Sequence, residues 1–199
     1  MGRRKGYQPE ELVKAAMALF HVHGFAGTST EMLVETLGVN RNSMYSEFGS
    51  KQALFDACLD RYDRDVVTSI FGALEADGAD LETIHELFEG FGAAAVGGAG
   101  LGCLICNTAV ELAGDDPSGD RVVQKYLHRI HAAFRNALDG ARAAGVLVKE
   151  IDVDDEARFL TATCLGIFVM VRARSAPATL RSVVSAATRH LASLRCAEL

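Results

Sequence analysis

Arg41, Asn42, Ser43, Tyr45 and Ser46 stand within six residues of one another and carry the hydrogen-bonding groups that read nucleic acid. An arginine fork pairs with guanine O6 and N7, an asparagine amide with adenine N6 and N7, and hydroxyls reach base edges or phosphate. Met44 and Phe48 lie among them at i, i+4. A helix over about Arg41 to Phe48 therefore buries those two and turns the polar set outward. Thr28 and Thr30 open the element before it, where unpaired backbone N–H groups favour a phosphate or simply an N-cap. Ser50 caps the element after it and leaves Lys51 in the first turn. The residues placed to touch DNA are then Thr28, Thr30, Arg41, Asn42, Ser43, Tyr45, Ser46 and Lys51, although any one of them could be merely exposed.

The elements that must hold this set can be read around it. Leu33, Thr36 and Leu37 sit at helical spacing, and Gly38 ends their helix at a position that favours positive φ. Val39 fills the turn and Asn40 caps the reading helix. Two short helices joined through a glycine-containing turn form a helix-turn-helix. Ahead of it, a helix over about Pro9 to His23 puts Leu12, Ala15, Ala16, Leu19 and Phe20 on one stripe. Arg3, Arg4 and Lys5 precede it as an arm able to reach phosphate or a minor groove, or as a solvated terminus.

Beyond residue 50 the periodicity stays helical. One helix runs from about Lys51 to Glu75 with Leu54, Cys58, Leu59, Tyr62 and Val66 inward. A second starts near Leu81 and dissolves in the glycine-rich stretch from Ala93 to Gly102, which lacks the Gly-Lys-Ser/Thr ending of a phosphate loop. A short one spans about Cys103 to Ala113, and a long one about Ser118 to Ala144. The last two cover about Asp154 to Ser175 and Ala178 to Leu194. No convincing strand alternation appears, so the fold is expected to be all-α with about nine helices.

Composition narrows the function. The 199 residues carry a net charge of −6, yet residues 1 to 51 hold six Lys/Arg against five Glu, so the body carries −7. That distribution suits local DNA contact better than general adhesion to nucleic acid, and counts against a non-specific architectural protein. No apolar run is long enough for a bilayer, the basic start lacks a signal-peptide core, and five cysteines without an export signal fit the cytoplasm.

The stretch Gly24-Phe25, Thr28-Ser29-Thr30, Leu37-Gly38-Val39-Asn40, Met44-Tyr45 and Phe48-Gly49-Ser50-Lys51 resembles the DNA-binding domain of TetR-family transcriptional repressors, without gaps from about residue 8 to 60. The resemblance implies a helix-turn-helix domain over residues 1–50 and a helical regulatory and dimerisation domain over residues 51–199. It implies a homodimer in which the last two helices of each chain form a four-helix bundle. Two reading helices about 34 Å apart would then meet a palindromic operator on double-stranded DNA. Tyr45 and Lys51 match family positions that meet phosphate. A small-molecule inducer in the body would displace the helix after the head, with Phe88, Phe91, Leu104, Tyr126, Ile130 and Phe134 as pocket walls, although plain core is the stronger reading of each. Glu31 and Glu47 depart from the pattern, because an acid facing phosphate is repulsive unless it accepts from cytosine N4 or pairs with Arg41. Neither an enzymatic role nor a cofactor is implied.

Gly102-Cys103-Leu104-Ile105-Cys106-Asn107-Thr108-Ala109-Val110-Glu111-Leu112 resembles a stretch of one TetR subgroup, some members of which respond to oxidants or electrophiles through a cysteine. A helix N-terminus at Cys103 would lower its thiol pKa, and Cys106 one turn on could resolve a sulfenic acid. The plainer reading makes both small buried hydrophobes. A zinc site using the same pair would need His128 and His131, and a thiol-disulfide oxidoreductase would need a βαβ scaffold that the pattern does not offer.

Overall fold

The structure is a computed structural model that describes residues 7–97, 100–112 and 117–196. Among the described residues there are nine helices and no strand; the one sheet-like pairing is an isolated antiparallel bridge, Leu147 to Arg195. The arm at Arg3, Arg4 and Lys5 lies outside the described residues.

The head is made of α1 (Pro9–His23), α2 (Thr30–Leu37) and α3 (Arg41–Phe48). Leu12, Ala16 and Phe20 of α1 close on Leu33, Leu37 and Met44, with Leu54, Phe55 and Cys58 of the next helix completing a small core. Phe20 and Phe55 meet edge to face at 4.8 Å, and Phe25 closes on Phe55 at 5.0 Å. Gly38 takes the left-handed conformation, φ +63°, that turns α2 into α3.

From the head runs α4, residues 51–75, made of helices Lys51–Tyr62 and Thr68–Glu75 joined by a π turn, Asp63–Val67. The periodicity predicts an uninterrupted α-helix with Val66 inward. The inward residue is instead Val67, because the widened turn adds one residue and the buried series steps from Tyr62 by five rather than four. Across the groove, Arg129 donates to the Asp63 carbonyl, the Asp63 carboxylate and the Thr68 hydroxyl, the groups that the widened turn presents.

The body follows as α5 (Leu81–Gly97), α6 (Leu104–Leu112), α7 (Pro117–Ala143), α8 (Val153–Arg172) and α9 (Pro177–Ser193). Rather than dissolving at Ala93, α5 continues helical to Gly97, its alanines outweighing the flanking glycines. α7 packs along α8 and against α4, and α5 packs along α9. Gly140 is where α7 crosses the α4–α5 turn; a Cβ there would run into the Ala79 carbonyl oxygen. Phe71, Phe88 and Phe134 fill the centre, Phe88 stacked on Phe134 at 6.1 Å. The outer face of α8 keeps Phe159 and Val169 about half exposed, at 49% and 46%.

Candidate nucleic-acid interface

Each end of the reading element is fixed by a local hydrogen bond. Asn40 Oδ1 accepts from the Ser43 N–H at 2.8 Å, and the Gly49 N–H donates to the Tyr45 carbonyl at 2.8 Å, after which Ser50 Oγ caps α4 by accepting from the Ala53 N–H at 3.0 Å. Arg41, Asn42 and Ser46 are exposed on α3, while Ser43 and Tyr45 are half-buried. A cleft of about 560 Å³ runs between Tyr7 and α3, lined by Asn40, Arg41, Asn42, Ser43 and Ser46.

The threonines behave differently from their expected roles. Thr28 is fully buried, its hydroxyl donating to the Gly24 carbonyl at 2.6 Å, so it closes the α1–α2 corner and offers nothing to a phosphate. Ser29, which sequence reasoning passed over, is the true cap of α2 and accepts from the Met32 N–H at 3.2 Å. Thr-Ser-Thr gives three capping hydroxyls in a row, and one residue of register decides which is used. Thr30 shares a 3.2 Å hydrogen bond with the Tyr45 hydroxyl across the two helices. The Arg41 guanidinium lies 5.6 Å from the Tyr45 ring centroid, and its Nη1 is 3.8 Å from Glu31 Oε1. Thr30 and Arg41 together hold the Tyr45 hydroxyl below the ordinary tyrosine pKa. Glu31 is likewise held below the usual carboxylate range, by its own backbone N–H and the Ser29 hydroxyl. Lys51 is half-buried with its Nζ 4.3 Å over the Phe25 ring, a cation–π contact on the same corner.

Two family models match in succession: bacterial regulatory proteins of the tetR family over residues 12–58, and the tetracyclin repressor-like C-terminal domain over residues 81–187. The chain belongs to the TetR family. It is 30% identical over 169 residues to the uncharacterized HTH-type transcriptional regulator YezE of Bacillus subtilis strain 168, covering 84% of this chain and 87% of YezE. A TetR transcriptional regulator from Chloroflexus aurantiacus J-10-FL superposes with a TM-score of 0.84 at 25% identity, over 95% of this chain and 96% of that one. A cysteine-substituted variant of the TetR-family regulator CifR, solved on a 26-base-pair operator duplex, superposes with a TM-score of 0.77 at 25% identity, over 94% and 98% of the two chains. The protein is a TetR-family transcriptional regulator, a non-enzymatic DNA-binding protein.

Behind this TetR head, the body grips it at two places, one through Glu111 of the Gly102–Leu112 stretch, whose role the sequence did not reveal, and one through Arg172, which it did not single out. Glu111 of α6 accepts from the Phe25 and Ala26 N–H groups at 3.1 and 2.7 Å. Arg172 at the end of α8 donates to the His21 and Val22 carbonyls at 3.1 and 3.2 Å, which caps the C-terminus of α1 with a cation. Gly24, φ +75°, is required between them, since a Cβ would lie 2.5 Å from Glu111 Oε2. A cavity of about 310 Å³ opens at this joint, with Phe20, His21, Leu104, Glu111, Val169 and Arg172 among its walls. No local sequence signal marks such pairs, because their partners lie 85 to 151 residues apart.

The expected inducer walls split. Phe88 and Phe134 are buried against each other, Phe91 meets Phe88 and Phe168 edge to face, and Ile130 is fully buried. Leu104 lines the joint instead. Tyr126 shares a 3.1 Å hydrogen bond with Cys103 Sγ. The expected activation of Cys103 is reversed. The residue is buried just ahead of α6, and loss of solvent raises its thiol pKa, although Tyr126 and the N–H groups of Cys106 and Ile105 pull it down. Burial also pushes Cys106 up to about 11. Asp154 stands 3.1 Å from His131, and among the described residues no group of three metal-ligating side chains converges.

Proposed function

We propose that this regulator is a repressor that binds a palindromic operator as a homodimer and lets go when a small molecule occupies its body. The observation that carries the reading is the exposed Arg41, Asn42 and Ser46 row on a helix whose two ends, and whose Tyr45, are held by the rest of the head. Arg41 and Asn42 would read base edges, and Ser43, Tyr45, Ser46, Thr30 and Lys51 would set the head on the backbone. Residues 1–50 serve as the reading domain and residues 51–199 as the regulatory and dimerisation domain.

Dimerisation is assigned to α8 and α9. The outer face of α8 carries Phe159, Ala162, Gly166 and Val169 in an exposed row, and α9 exposes small side chains such as Ala178, Ser182, Ser185 and Ala186. A second copy is the occupant that would cover both and supply the second reading helix. The inducer would have to part the packed side chains of Phe88, Phe91, Tyr126, Ile130 and Phe134, with Leu104 on the joint side, and act through Glu111 and Arg129. Chromosomal DNA as the target puts the protein in the cytoplasm. A thiol switch at Cys103 and Cys106 is the weaker reading, because both sulfurs are buried with raised pKa values.

The test is selection of duplexes from a random library with the purified protein, followed by titration and sedimentation. A palindromic site bound by two chains supports the reading. A chain that stays monomeric, or binds all duplexes alike, sinks it.

A further inference from the structure

Of the two acids that depart from the DNA-binding pattern, Glu31 is the one beside Arg41. It stands in the first turn of α2, 78% exposed, on the side that also carries the reading helix. Four residues of two helices converge there. Thr30 fixes the Tyr45 hydroxyl, the Tyr45 ring underlies the Arg41 guanidinium, and Arg41, itself 62% exposed, turns Nη1 toward Glu31. An exposed ion pair at 3.8 Å adds little to folding, so its consequence is felt when DNA arrives.

Non-specific affinity for DNA comes from cations that neutralise phosphate and release counterions, whereas base edges supply the discrimination. A carboxylate beside Arg41 makes the pair neutral as a whole and places a negative charge against the phosphates. It also draws Nη1 to one side and leaves other donors of an Arg41 that is 62% exposed for a base. We propose that Glu31 is a specificity-determining residue: it holds Arg41 off the phosphate backbone and aims its free donors at a guanine. Random sequence then gains nothing from Arg41, while the correct base gains a pre-aimed fork. Repulsion of the wrong partner is half of the device. The inference rests on the base-reading role given to Arg41 above.

The experiment uses the full chain as wild type, Glu31→Gln and Arg41→Ala. Each is titrated by fluorescence anisotropy against the duplex that the wild type selects from a random library, and against a scrambled duplex of equal length and composition. Both series run at several salt concentrations, with circular-dichroism melts to check that the exposed substitutions leave the fold intact. For Glu31→Gln the scrambled duplex is expected to bind about tenfold tighter, with a log K against log salt slope steeper by roughly 0.9 per subunit. Selected-site affinity should change less than about threefold, so the preference for it falls. Arg41→Ala should abolish most of that preference. Equal shifts on both duplexes in Glu31→Gln, with Arg41→Ala still destroying preference, overturn the role of Glu31 and leave the DNA reading standing. An Arg41→Ala protein that keeps its full preference overturns the base-reading assignment, and the role of Glu31 with it.

Discussion

The reading face and the joint behind it hold their charges in opposite ways. On the face, Arg41 has one long ionic neighbour and an aromatic ring, both in contact with solvent. At the joint, Arg129 of α7 spans the π turn of α4, bonding Asp63, Thr68 and both oxygens of Glu75, while Asn136 donates to the Leu74 and Ala76 carbonyls. Glu111 and Arg172 saturate the backbone around Gly24 in the same manner. Side chains on the face are loosely held. Those between the body and the head are tied at several points each. Substitutions on the face should therefore cost recognition without stability, and substitutions at the joint should cost stability first.

The largest effect is expected at Arg129. Its loss leaves the partly buried Glu75 without a cation and Asp63 with the exposed Lys125 alone, and Arg129→Ala should lower unfolding free energy by about 3 kcal/mol in urea denaturation. A loss under about 1 kcal/mol would mean that the joint is no better tied than the face. Next comes Gly24→Ala, which meets both a positive φ and the Glu111 carboxylate. A cost of about 2 kcal/mol, read as a lowered thermal midpoint, is expected. On the face, Arg41→Ala should leave the midpoint within about 1 °C of wild type while costing roughly tenfold or more in selected-site affinity. A large drop in midpoint there would erase the contrast.

The smallest effect near neutral pH concerns the thiols. Cys58 is raised to about 12 and Cys106 to about 11 by burial, above the ordinary 9 of an exposed thiol. A folded pKa above the unfolded one means the stabilisation is fully present below pH 9 and is lost as pH rises toward 11 to 12, because the unfolded thiols ionise first. Denaturation midpoints should be flat from about pH 7 to 8.5 and fall beyond about 9, less steeply in Cys106→Ala. In the native protein at about pH 8 an aromatic disulfide reagent should react promptly with the exposed Cys196, and with Cys58, Cys103, Cys106 and Cys164 only on unfolding.

The sequence announced its elements well where a local signal existed. Asn40, Ser50 and Gly38 mark boundaries by their own capping and backbone chemistry, and α1 and α3 begin and end where Pro9, His23, Arg41 and Phe48 implied. It was silent where a distant residue decides the outcome. The π turn in α4 is bridged by Arg129, more than sixty residues away, which bonds the groups that the widened turn presents. Only the five-residue step from Tyr62 to Val67 hints at it, and Val66 is just as apolar. Thr28 was misjudged because burial of a threonine is a property of the packed corner, not of the triplet Thr28-Ser29-Thr30. For Cys103 and Cys106 the plainer reading, small buried hydrophobes, is the one that the burial supports, since a helix N-terminus lowers a pKa only where solvent loss does not outweigh it.

The π turn also has a geometric consequence for how the head is aimed. A helical ladder closes at i+4 or at i+5, with nothing stable between, and five residues wound in the wider form fall short of the tighter form by roughly a quarter of a revolution. The azimuth of everything upstream of Asp63 is thus offset by that step from where an uninterrupted α-helix would carry it, and the head faces the direction that the wider turn dictates.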